Sequence, residues 1–273
     1  DVYKRQTFGM LGCNLHCDYC QNWLSSQAGR DPASDRIIGQ VERISPQEIV
    51  EYGVMRGAKV LASSYNEPLI TSEWAADVFK LAQEAGMQCV MVSNGYATRQ
   101  ALEYLQPVMQ GYKVDLKSMQ DRNYLHLGGV LQPVLDSIVR AYELGMWVEV
   151  VTLLVPGFND SNEELWEMAK FIGGVSAEIP WHITAFHSDY KKRDTQRTPV
   201  ASLVRAAEIG LEAGLRYVYA GNLPGRVEEY ETTFCHHCQT WLIRRQGFSV
   251  LQNRLLSDGS CPQCGIKAAG VWK

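Results

Sequence analysis

The sequence predicts an α/β fold, a partial or full (β/α) barrel followed by a small C-terminal metal-binding module. From residue 7 onward, short β-branched or apolar runs alternate with longer helical patterns, as is typical of a parallel sheet. After Gly225 this alternation ends, and two CxxC pairs predict the metal-binding module. A doubly wound open sheet is the alternative, because a sequence specifies the number of βα units better than their closure.

The barrel is expected to contain seven strands and six helices. The strands are predicted near residues 7–11, 59–64, 88–93, 111–117, 147–154, 181–186 and 216–220. The helices are predicted near residues 46–56, 71–85, 97–106, 131–144, 161–172 and 199–213. Local signals support the first helix, where Ser45, Pro46 and Glu48 provide an N-cap, a first-turn proline and a capping box.

We predict that the barrel covers residues 7–225 and the C-terminal module residues 226–273. Residues 1–6 are excluded from these domains because DVYKRQ lacks an initiator Met and is what a common transposase library adapter would encode. We expect them to be a sequencing artefact at the edge of a truncated gene. An intact genomic reading frame that encodes the same residues would contradict this hypothesis.

Composition limits the classes of function. The net charge of -4 argues against a general nucleic-acid binder, and neither a membrane span nor a signal peptide is visible. Seven of the eight cysteines fall in CxxxCxxC or CxxC sets, as expected of metal ligands in a reducing compartment. The sequence therefore predicts a cytoplasmic protein without a membrane partner. The remaining thiol, Cys89, is expected to lie in the core.

Three cysteines, Cys13, Cys17 and Cys20, form a CxxxCxxC array in the loop after the first predicted strand. A structural zinc needs four ligands, whereas three thiolates on a four-iron cluster leave one iron open. A partial zinc site or three unrelated thiols are the alternatives. With Tyr19 before the last cysteine, the array resembles that of the radical S-adenosylmethionine (SAM) enzymes. The resemblance implies a [4Fe–4S] cluster with SAM on the fourth iron and Tyr19 among the SAM-binding residues.

The sequence SSYNEP at residues 63–68 follows the second predicted strand. It resembles the radical SAM motif, often Gly-Gly-Glu-Pro, whose backbone and glutamate meet the amino group of SAM. The resemblance makes Asn66 and Glu67 candidate SAM ligands. Tyr65 and Asn66 replace the two glycines, which leaves the backbone geometry at Tyr65 open. The alternative is a solvated loop with a helix-starting proline.

Alternation in the fourth strand places Val114 and Leu116 on one face and Asp115 and Lys117 on the other. The two charged side chains would point into the barrel, where they should pair with each other or with a ligand. They resemble residues that contact SAM in the glycyl-radical-activase branch, and a structural ion pair is the alternative. Asn94, after the third strand, could reach the SAM region or only shape its turn.

Two histidines are candidates for the substrate side of the site. Alternation in the sixth strand places His182 opposite Ile183 and Ala185, hence inside the barrel. A hydrogen-bonded core histidine is the alternative. His187 begins a polar loop, residues 187–193, that could close over an anionic or protein substrate, although such charge runs are usually solvated surface.

The two CxxC pairs predict a zinc-ribbon-like site with 22 residues between its halves. Its ligands are Cys235, Cys238, Cys261 and Cys264. Four thiolates close a tetrahedron, so that the predicted zinc is structural. Rubredoxin-like iron, or a ligand change to His236 or His237, stays open. A c-type haem is disfavoured because Gln239 follows the second cysteine.

Residues from all parts of the chain resemble the AmmeMemoRadiSam system radical SAM enzyme, a relative of pyruvate formate-lyase activating enzymes. They are residues 12–23, 65–68, 114–117, 180–182, 185–187, 217–222 and 270–272 with both CxxC pairs. The resemblance covers residues 7–273 and implies a barrel of the radical SAM type. Its implied activity is reductive cleavage of SAM to methionine and a 5′-deoxyadenosyl radical, which removes hydrogen from an unidentified substrate.

The resemblance also implies partners. They are a reductant protein of the flavodoxin or ferredoxin type and AmmeMemo system proteins, with a small molecule or a protein as substrate. Two other functions stay open, namely activation of a glycyl-radical enzyme and a non-catalytic iron–sulfur and zinc scaffold that binds a partner. A nucleic-acid partner is not expected.

Overall fold

The computed structural model describes residues 4–272, in which seven parallel strands form one sheet in the order β1-β2-β3-β4-β5-β6-β7. The strands are β1 Arg5–Phe8, β2 Val60–Ser63, β3 Gln88–Ser93, β4 Gly111–Asp115, β5 Trp147–Leu154, β6 Trp181–Ala185 and β7 Val218–Gly221. Strand order follows chain order without a reversal, which is the topology of a (β/α) barrel and not of a doubly wound sheet. With seven strands where a full barrel has eight, the predicted partial-barrel α/β class is confirmed.

Helices connect the strands. They are α1 Trp23–Ser26, α2 Pro46–Met55, α3 Ser72–Glu84, α4 Arg99–Leu105, α5 Asp121–His126, α6 Leu131–Glu143, α7 Asn162–Val175 and α8 Val200–Glu212, with 3₁₀ helices at Pro32–Gln40, Pro68–Thr71 and Glu228–Glu231. The predicted capping box begins α2, since the Ser45 hydroxyl accepts from the Glu48 N–H and the Glu48 carboxylate accepts from the Ser45 N–H.

The chain divides into two compact units. One comprises the chain up to Leu116 with Gln120–Val148 and Ser188–Asp194, and the other comprises Lys117–Met119, Glu149–His187 and the chain from Thr195 onward. All three N-terminal cysteines therefore lie in the first unit. All four C-terminal cysteines lie in the second.

In the first unit, β1 to β4 pair in parallel, each with the next. Phe8, the last residue of β1, packs edge-to-face on Trp74 and Phe79 of α3 at ring distances of 5.3 and 6.0 Å. Burial alternates along β3, so that Cys89 is fully buried. This confirms Cys89 as a core thiol, and burial raises its pKa to about 12.

In the second unit, β5, β6 and β7 pair in parallel. Gly210 of α8 lies against Trp181 and Val218, because a Cβ at this glycine would come within 3.0 Å of each side chain. Trp181 and Val218 therefore face the helix. Side chains alternate along a strand, so that His182 and Tyr219, the next residues, face the opposite side of the sheet.

The C-terminal residues form a three-stranded antiparallel sheet, and they contact β7 in the same unit. Its strands are β8 Thr233–Phe234, β9 Trp241–Gln246 and β10 Ser249–Asn253. The Ala269 N–H donates to the Tyr217 hydroxyl at 3.0 Å, and the Tyr219 and Thr233 hydroxyls lie 2.9 Å apart. The predicted boundary between residues 225 and 226 stays a prediction.

The first strand differs from the sequence expectation. The first strand is Arg5–Phe8 instead of 7–11, so Arg5 and Gln6, which had been set aside, lie in β1, while residues 1–3 lie outside the described residues. Position 9, directly after β1, requires glycine because a Cβ there would lie 2.5 Å from the Ser64 carbonyl oxygen. Within residues 4–272, no helix combines the length and apolar character that crossing a membrane requires.

Candidate functional site

The cysteine loop, residues 13–20, follows β1 and carries the three thiols predicted to hold a cluster. Cys17 is buried, and Cys13 and Cys20 are half-buried. A structural zinc takes four protein ligands, whereas separate irons of one cluster can each take one thiolate. Three thiols in one loop therefore suit a cluster with one open iron.

Hydrogen-bond donors surround two of these sulfurs. The Leu15 N–H lies 3.4 Å from Cys13 Sγ, and the Asn94 side-chain amide lies 3.8 Å from the same atom. The Ser26 hydroxyl lies 3.2 Å from Cys20 Sγ. Donors of this kind stabilise a thiolate relative to a thiol and tune the potential of a bound cluster. The loop can therefore present its sulfurs as anionic ligands.

Glu67 is held between the ends of β2 and β3 and is only 1% exposed. Its carboxylate accepts hydrogen bonds from the Leu69 N–H at 3.0 Å, the Ser93 hydroxyl at 2.7 Å and the Asn94 N–H at 2.7 Å. Burial raises the pKa of Glu67 to about 7, although these donors lower it, and the charge of Asp115 raises it further. The carboxylate fixes Asn94, whose amide in turn contacts the cysteine loop.

The backbone at Tyr65 has the conformation that a glycine would favour. Its φ is +76°, in the left-handed region that non-glycine residues rarely adopt. Its hydroxyl lies 2.7 Å from the Thr7 hydroxyl, and the next side chain, Asn66, accepts from the Met10 N–H at 2.9 Å. Tyr65 therefore has a backbone conformation that glycine adopts without strain.

Strand β4 ends at Asp115, two residues earlier than expected. Val114 and Leu116 are fully buried, while Asp115 and Lys117 are half-buried, in agreement with the predicted alternation. The Lys117 carbonyl accepts from the Asn159 side chain at 2.8 Å. Both charged residues have further interactions, and their contact with SAM stays a prediction.

His182 is the second residue of β6, near the amino end of that strand. Its Nε2 lies 2.9 Å from the Glu149 carboxylate, and its ring stacks on Tyr219 at 5.1 Å. Functional groups of parallel barrels gather at the carboxyl ends of the strands, so these contacts favour the alternative of a hydrogen-bonded core histidine. The substrate role of His182 stays a prediction. His187, by contrast, is exposed beyond the carboxyl end of β6.

Sequence reasoning missed a set of contacts on the cysteine loop. In the segment that follows His187, Ser188, Lys191 and Arg193 are exposed. Tyr190, by contrast, is 8% exposed and stacks on Trp23 at a ring distance of 5.2 Å. Its hydroxyl also donates to the Asp31 carboxylate. The run of charges in this segment suggested a solvated surface, and no local signal distinguishes Tyr190 from an exposed tyrosine.

The four C-terminal cysteines lie together. All four Sγ atoms are within 4.8 Å of one another, and the Cys235–Cys264 and Cys238–Cys261 sulfurs are 3.6 and 3.7 Å apart. These distances agree with the separation of about 3.8 Å that a tetrahedral zinc–thiolate site requires. The group can therefore bind one metal ion.

Two similar turns present these cysteines. In each turn the N–H of the first cysteine donates to the carbonyl five residues on, Thr240 or Ile266, at 2.8 Å. The residue after the second cysteine has positive φ in both, +57° at Gln239 and +74° at Gly265. The N–H of this residue donates to the carbonyl of the first cysteine at 2.9 Å in both turns. The two halves of the site are thus equivalent.

The thiol pKa values in this group diverge. Hydrogen bonds from Thr240 lower the pKa of Cys238 to about 6. A hydrogen bond from Ile266 lowers that of Cys264, but desolvation and the neighbouring thiols raise it to about 12. Four thiolates cannot share this space without a cation. The site therefore requires a positive ion to hold all four in the ligating form.

Comparison with known proteins identifies the family. Residues 8–172 match the Radical SAM superfamily. An uncharacterized protein of Methanocaldococcus jannaschii is 36% identical over 258 residues, which cover 94% of this chain and 74% of that protein. The pyruvate formate-lyase-activating enzyme of Staphylococcus aureus is 24% identical over 186 residues, 64% of this chain and 72% of that enzyme.

Solved structures share the fold. SuiB of Streptococcus suis has a TM-score of 0.60 at 14% identity, with 81% of this chain and 49% of SuiB covered. A radical SAM methyltransferase from Sphaerobacter thermophilus has a TM-score of 0.59 at 15% identity, with 80% and 66% covered. At these identities the likeness concerns the fold alone.

Proposed function

This chain belongs to the radical SAM superfamily and is an enzyme, and we propose that Cys13, Cys17 and Cys20 hold its [4Fe–4S] cluster with one iron open to SAM. The observation that carries the proposal is the placement of three thiols in the loop after β1, with hydrogen-bond partners at Cys13 and Cys20.

When bound, the cluster and SAM supply a one-electron cleavage that yields methionine and a 5′-deoxyadenosyl radical for hydrogen abstraction. The chain's own residues bind and orient. We assign SAM binding to the loops at the strand ends, with Tyr19, Asn66, Glu67, Asn94, Asp115 and Lys117 as the binding residues. Glu67 supports this role by fixing Asn94, whose side chain lies 2.7 Å from Asn14 in the cysteine loop.

Anaerobic reconstitution tests the activity. The protein is loaded with iron and sulfide, reduced in the presence of SAM, and analysed by chromatography for 5′-deoxyadenosine. We expect product from the wild type and none from Cys17→Ala. The C-terminal variant Cys238→Ala should still form product. A demonstrated cluster that gives no product would count against the enzyme as proposed.

We propose that the C-terminal cysteines bind a structural zinc. The sulfur separations of 3.6 and 3.7 Å support tetrahedral thiolate coordination. Metal analysis by inductively coupled plasma mass spectrometry should find one zinc per chain after purification from zinc-replete medium. One iron with rubredoxin-type absorption at this site would replace the zinc assignment.

The subfamily resemblance supports a proposal for the biological system in which the enzyme acts. We propose a reaction in the AmmeMemoRadiSam system, with electrons from a flavodoxin- or ferredoxin-type protein, in a reducing cytoplasmic environment. The exposed His187, beyond the carboxyl end of β6, is a candidate for the substrate side. Co-purification of AmmeMemo proteins with the tagged protein would support the association. An unrelated radical SAM enzyme, used as bait in a parallel purification, should not retain them.

Activation of a glycyl-radical enzyme is the second candidate function. It is favoured by the 24% identity with the pyruvate formate-lyase-activating enzyme of Staphylococcus aureus. A glycyl-radical enzyme encoded beside this gene, incubated with the reconstituted protein and SAM, should then develop a glycyl-radical signal in electron paramagnetic resonance (EPR). A scaffold without catalysis would bind no SAM, which equilibrium dialysis with labelled SAM distinguishes from both enzymes.

A further inference from the structure

A segment after β6 crosses to the compact unit that contains the cysteine loop. Ser188–Asp194 belongs to the unit with residues 13–20, whereas the residues on either side of it, His187 and Thr195, belong to the other unit. We call Ser188–Asp194 the clasp. The clasp belongs to this unit because it contacts the turn between the second and third cysteines and the chain just after them.

The clasp backbone binds the turn that carries two of the cysteines. The Lys191 and Lys192 N–H groups both donate to the Asp18 carbonyl, each at 3.0 Å. Asp18 lies between Cys17 and Cys20, where the Cys20 N–H donates to the Cys17 carbonyl at 3.2 Å. Two clasp donors therefore fix the peptide plane inside the ligand turn.

The Tyr190 side chain binds the chain just after the cysteine loop. Its ring stacks on Trp23 at 5.2 Å with an angle of 14° between the planes. Its hydroxyl donates to the Asp31 carboxylate, which also pairs with the Lys191 ammonium at 3.3 Å. A stacked aromatic pair and charge-assisted hydrogen bonds are strong for their size and strict in geometry.

The clasp has a strained backbone. Tyr190 has a φ of +51°, a left-handed conformation that is uncommon for a bulky residue and persists only where surrounding contacts enforce it. The Lys192 ammonium lies 6.0 Å from the centre of the Tyr19 ring, beside the last cysteine. The contacts that compensate the strain are therefore those made to the cysteine loop and the residues after it.

We propose that the clasp is a positioning element of the iron–sulfur site. Tyr190 anchors the clasp on Trp23 and Asp31, so that the Lys191 and Lys192 N–H groups hold the turn in the conformation that presents Cys17 and Cys20 to the cluster. This inference rests on the proposed function, since it requires that the loop bind a cluster. Loss of the Tyr190 contacts frees the turn, so that the cluster is released more easily and the Tyr19 ring loses its fixed place near SAM.

The test compares reconstituted Tyr190→Ala, Tyr190→Phe and wild-type protein, with Tyr104→Ala as the control because Tyr104 is a half-exposed tyrosine on α4. One readout is the rate of iron release to a ferrous chelator under anaerobic conditions. The other is the change that SAM causes in the EPR spectrum of the reduced cluster. Neither depends on turnover.

We expect Tyr190→Ala to release iron about tenfold faster, the factor that about 1.4 kcal/mol produces, and to show a weaker SAM-induced EPR change. Tyr190→Phe keeps the stack and loses the Asp31 bond, so that its release rate should lie between the two. The rate of Tyr104→Ala should equal that of the wild type.

Equal rates and equal EPR changes in Tyr190→Ala and wild type would overturn the clasp while leaving the proposed function intact. An acceleration that Tyr104→Ala shares would also overturn it. A wild type that assembles no cluster would overturn the proposed function first. If Tyr190→Ala does not fold, Lys191→Met carries the same comparison with a smaller expected increase, because it removes the ammonium pair with Asp31 and the cation–π contact with the Tyr190 ring.

Discussion

The chain carries two cysteine sets that differ in the number of their thiols. The C-terminal set has four, whose sulfurs lie within 4.8 Å of one another, whereas the cysteine loop has three. Four thiolates complete the shell of one tetrahedral ion, and three on a four-iron cluster leave one iron open. The comparison teaches that the number of thiolates separates a site that closes a fold from a site that leaves a metal position open.

The two sets also differ in what holds them. The C-terminal turns are closed by hydrogen bonds between residues four or five apart, such as Cys235 to Thr240. The cysteine loop is held by distant residues, since the His16 N–H donates to the Leu127 carbonyl at 2.8 Å and Asn94 reaches Cys13. One site is encoded locally, and the other depends on the tertiary fold.

The largest expected effect separates the two sets by activity. Cys17→Ala should lower formation of 5′-deoxyadenosine by at least about a thousandfold, as removal of an indispensable catalytic element does, while zinc stays at one per chain. The measurement is product formation together with metal content. Equal loss of activity in Cys17→Ala and Cys261→Ala, with the cluster intact in the first, would break the distinction.

The stability of the C-terminal sheet should depend on the C-terminal cysteines and not on those of the cysteine loop. Cys261→Ser should remove the zinc and unfold the C-terminal sheet, at a cost on the order of 5 kcal/mol or more, because zinc binding by small domains contributes about 10–16 kcal/mol. Limited proteolysis should then cut between residues 226 and 272. Cys13→Ser, the matched control, should leave this region resistant. Resistance in both variants would contradict a structural zinc.

Much of the fold could be predicted because its signals are local. Strands β3 and β5 have the predicted bounds, and the other predicted helices and strands differ by a few residues, whereas α1, α5 and β8 to β10 were not predicted. The first strand was misplaced because the run that follows Phe8 is apolar, whereas the close approach of Gly9 to Ser64 is a tertiary constraint. Polar elements without periodicity, such as the 3₁₀ helix Pro32–Gln40, gave no signal.

The site was predictable in its residue types and not in its connections. Spacing alone gave both cysteine sets, but the hydrogen bonds of Glu67 to Ser93 and Asn94 join strands that only folding brings together. The contact of Tyr190 with Asp31 spans 159 residues. No local pattern encodes such a contact.

The pH dependence of the two regions should have opposite signs. The folded pKa of Glu67 is about 7 against an ordinary value of 4.5, so the folded state binds the proton more tightly, and stability falls as pH rises from about 4.5 to about 7. The decrease is about 3 kcal/mol. Zinc binding weakens in the other direction, because thiolates protonate as pH falls.

Denaturant unfolding of zinc-loaded, cluster-free protein at several pH values measures this dependence. Glu67→Gln should remove most of the decrease between pH 5 and pH 7. It should also cost about 1–3 kcal/mol at the lower pH, because the amide nitrogen that replaces one carboxyl oxygen cannot accept from the Asn94 N–H. A wild type whose stability rises over this range would contradict the pKa of Glu67.

The smallest expected effect compares the two halves of the C-terminal site. Gln239 has the positive φ that Gly265 has in the equivalent turn, so Gln239→Gly should stabilise the site by about 0.5 kcal/mol, since glycine adopts this conformation without strain. Gly265→Ala should destabilise it by about 1 kcal/mol. Thermal unfolding of the zinc-loaded variants measures both, and shifts of the same sign would show that the halves are not equivalent.

The span of the clasp contacts sets an order of assembly during synthesis. Glu67 reaches Asn94 across 27 residues, whereas Tyr190 reaches Asp31 across 159. At about 5–20 residues per second, a ribosome needs roughly 8 to 30 s to add the longer span. During that time the three cysteines have been synthesised, whereas the clasp that contacts their loop has not. The contacts between the clasp and the cysteine loop can therefore form only late in synthesis.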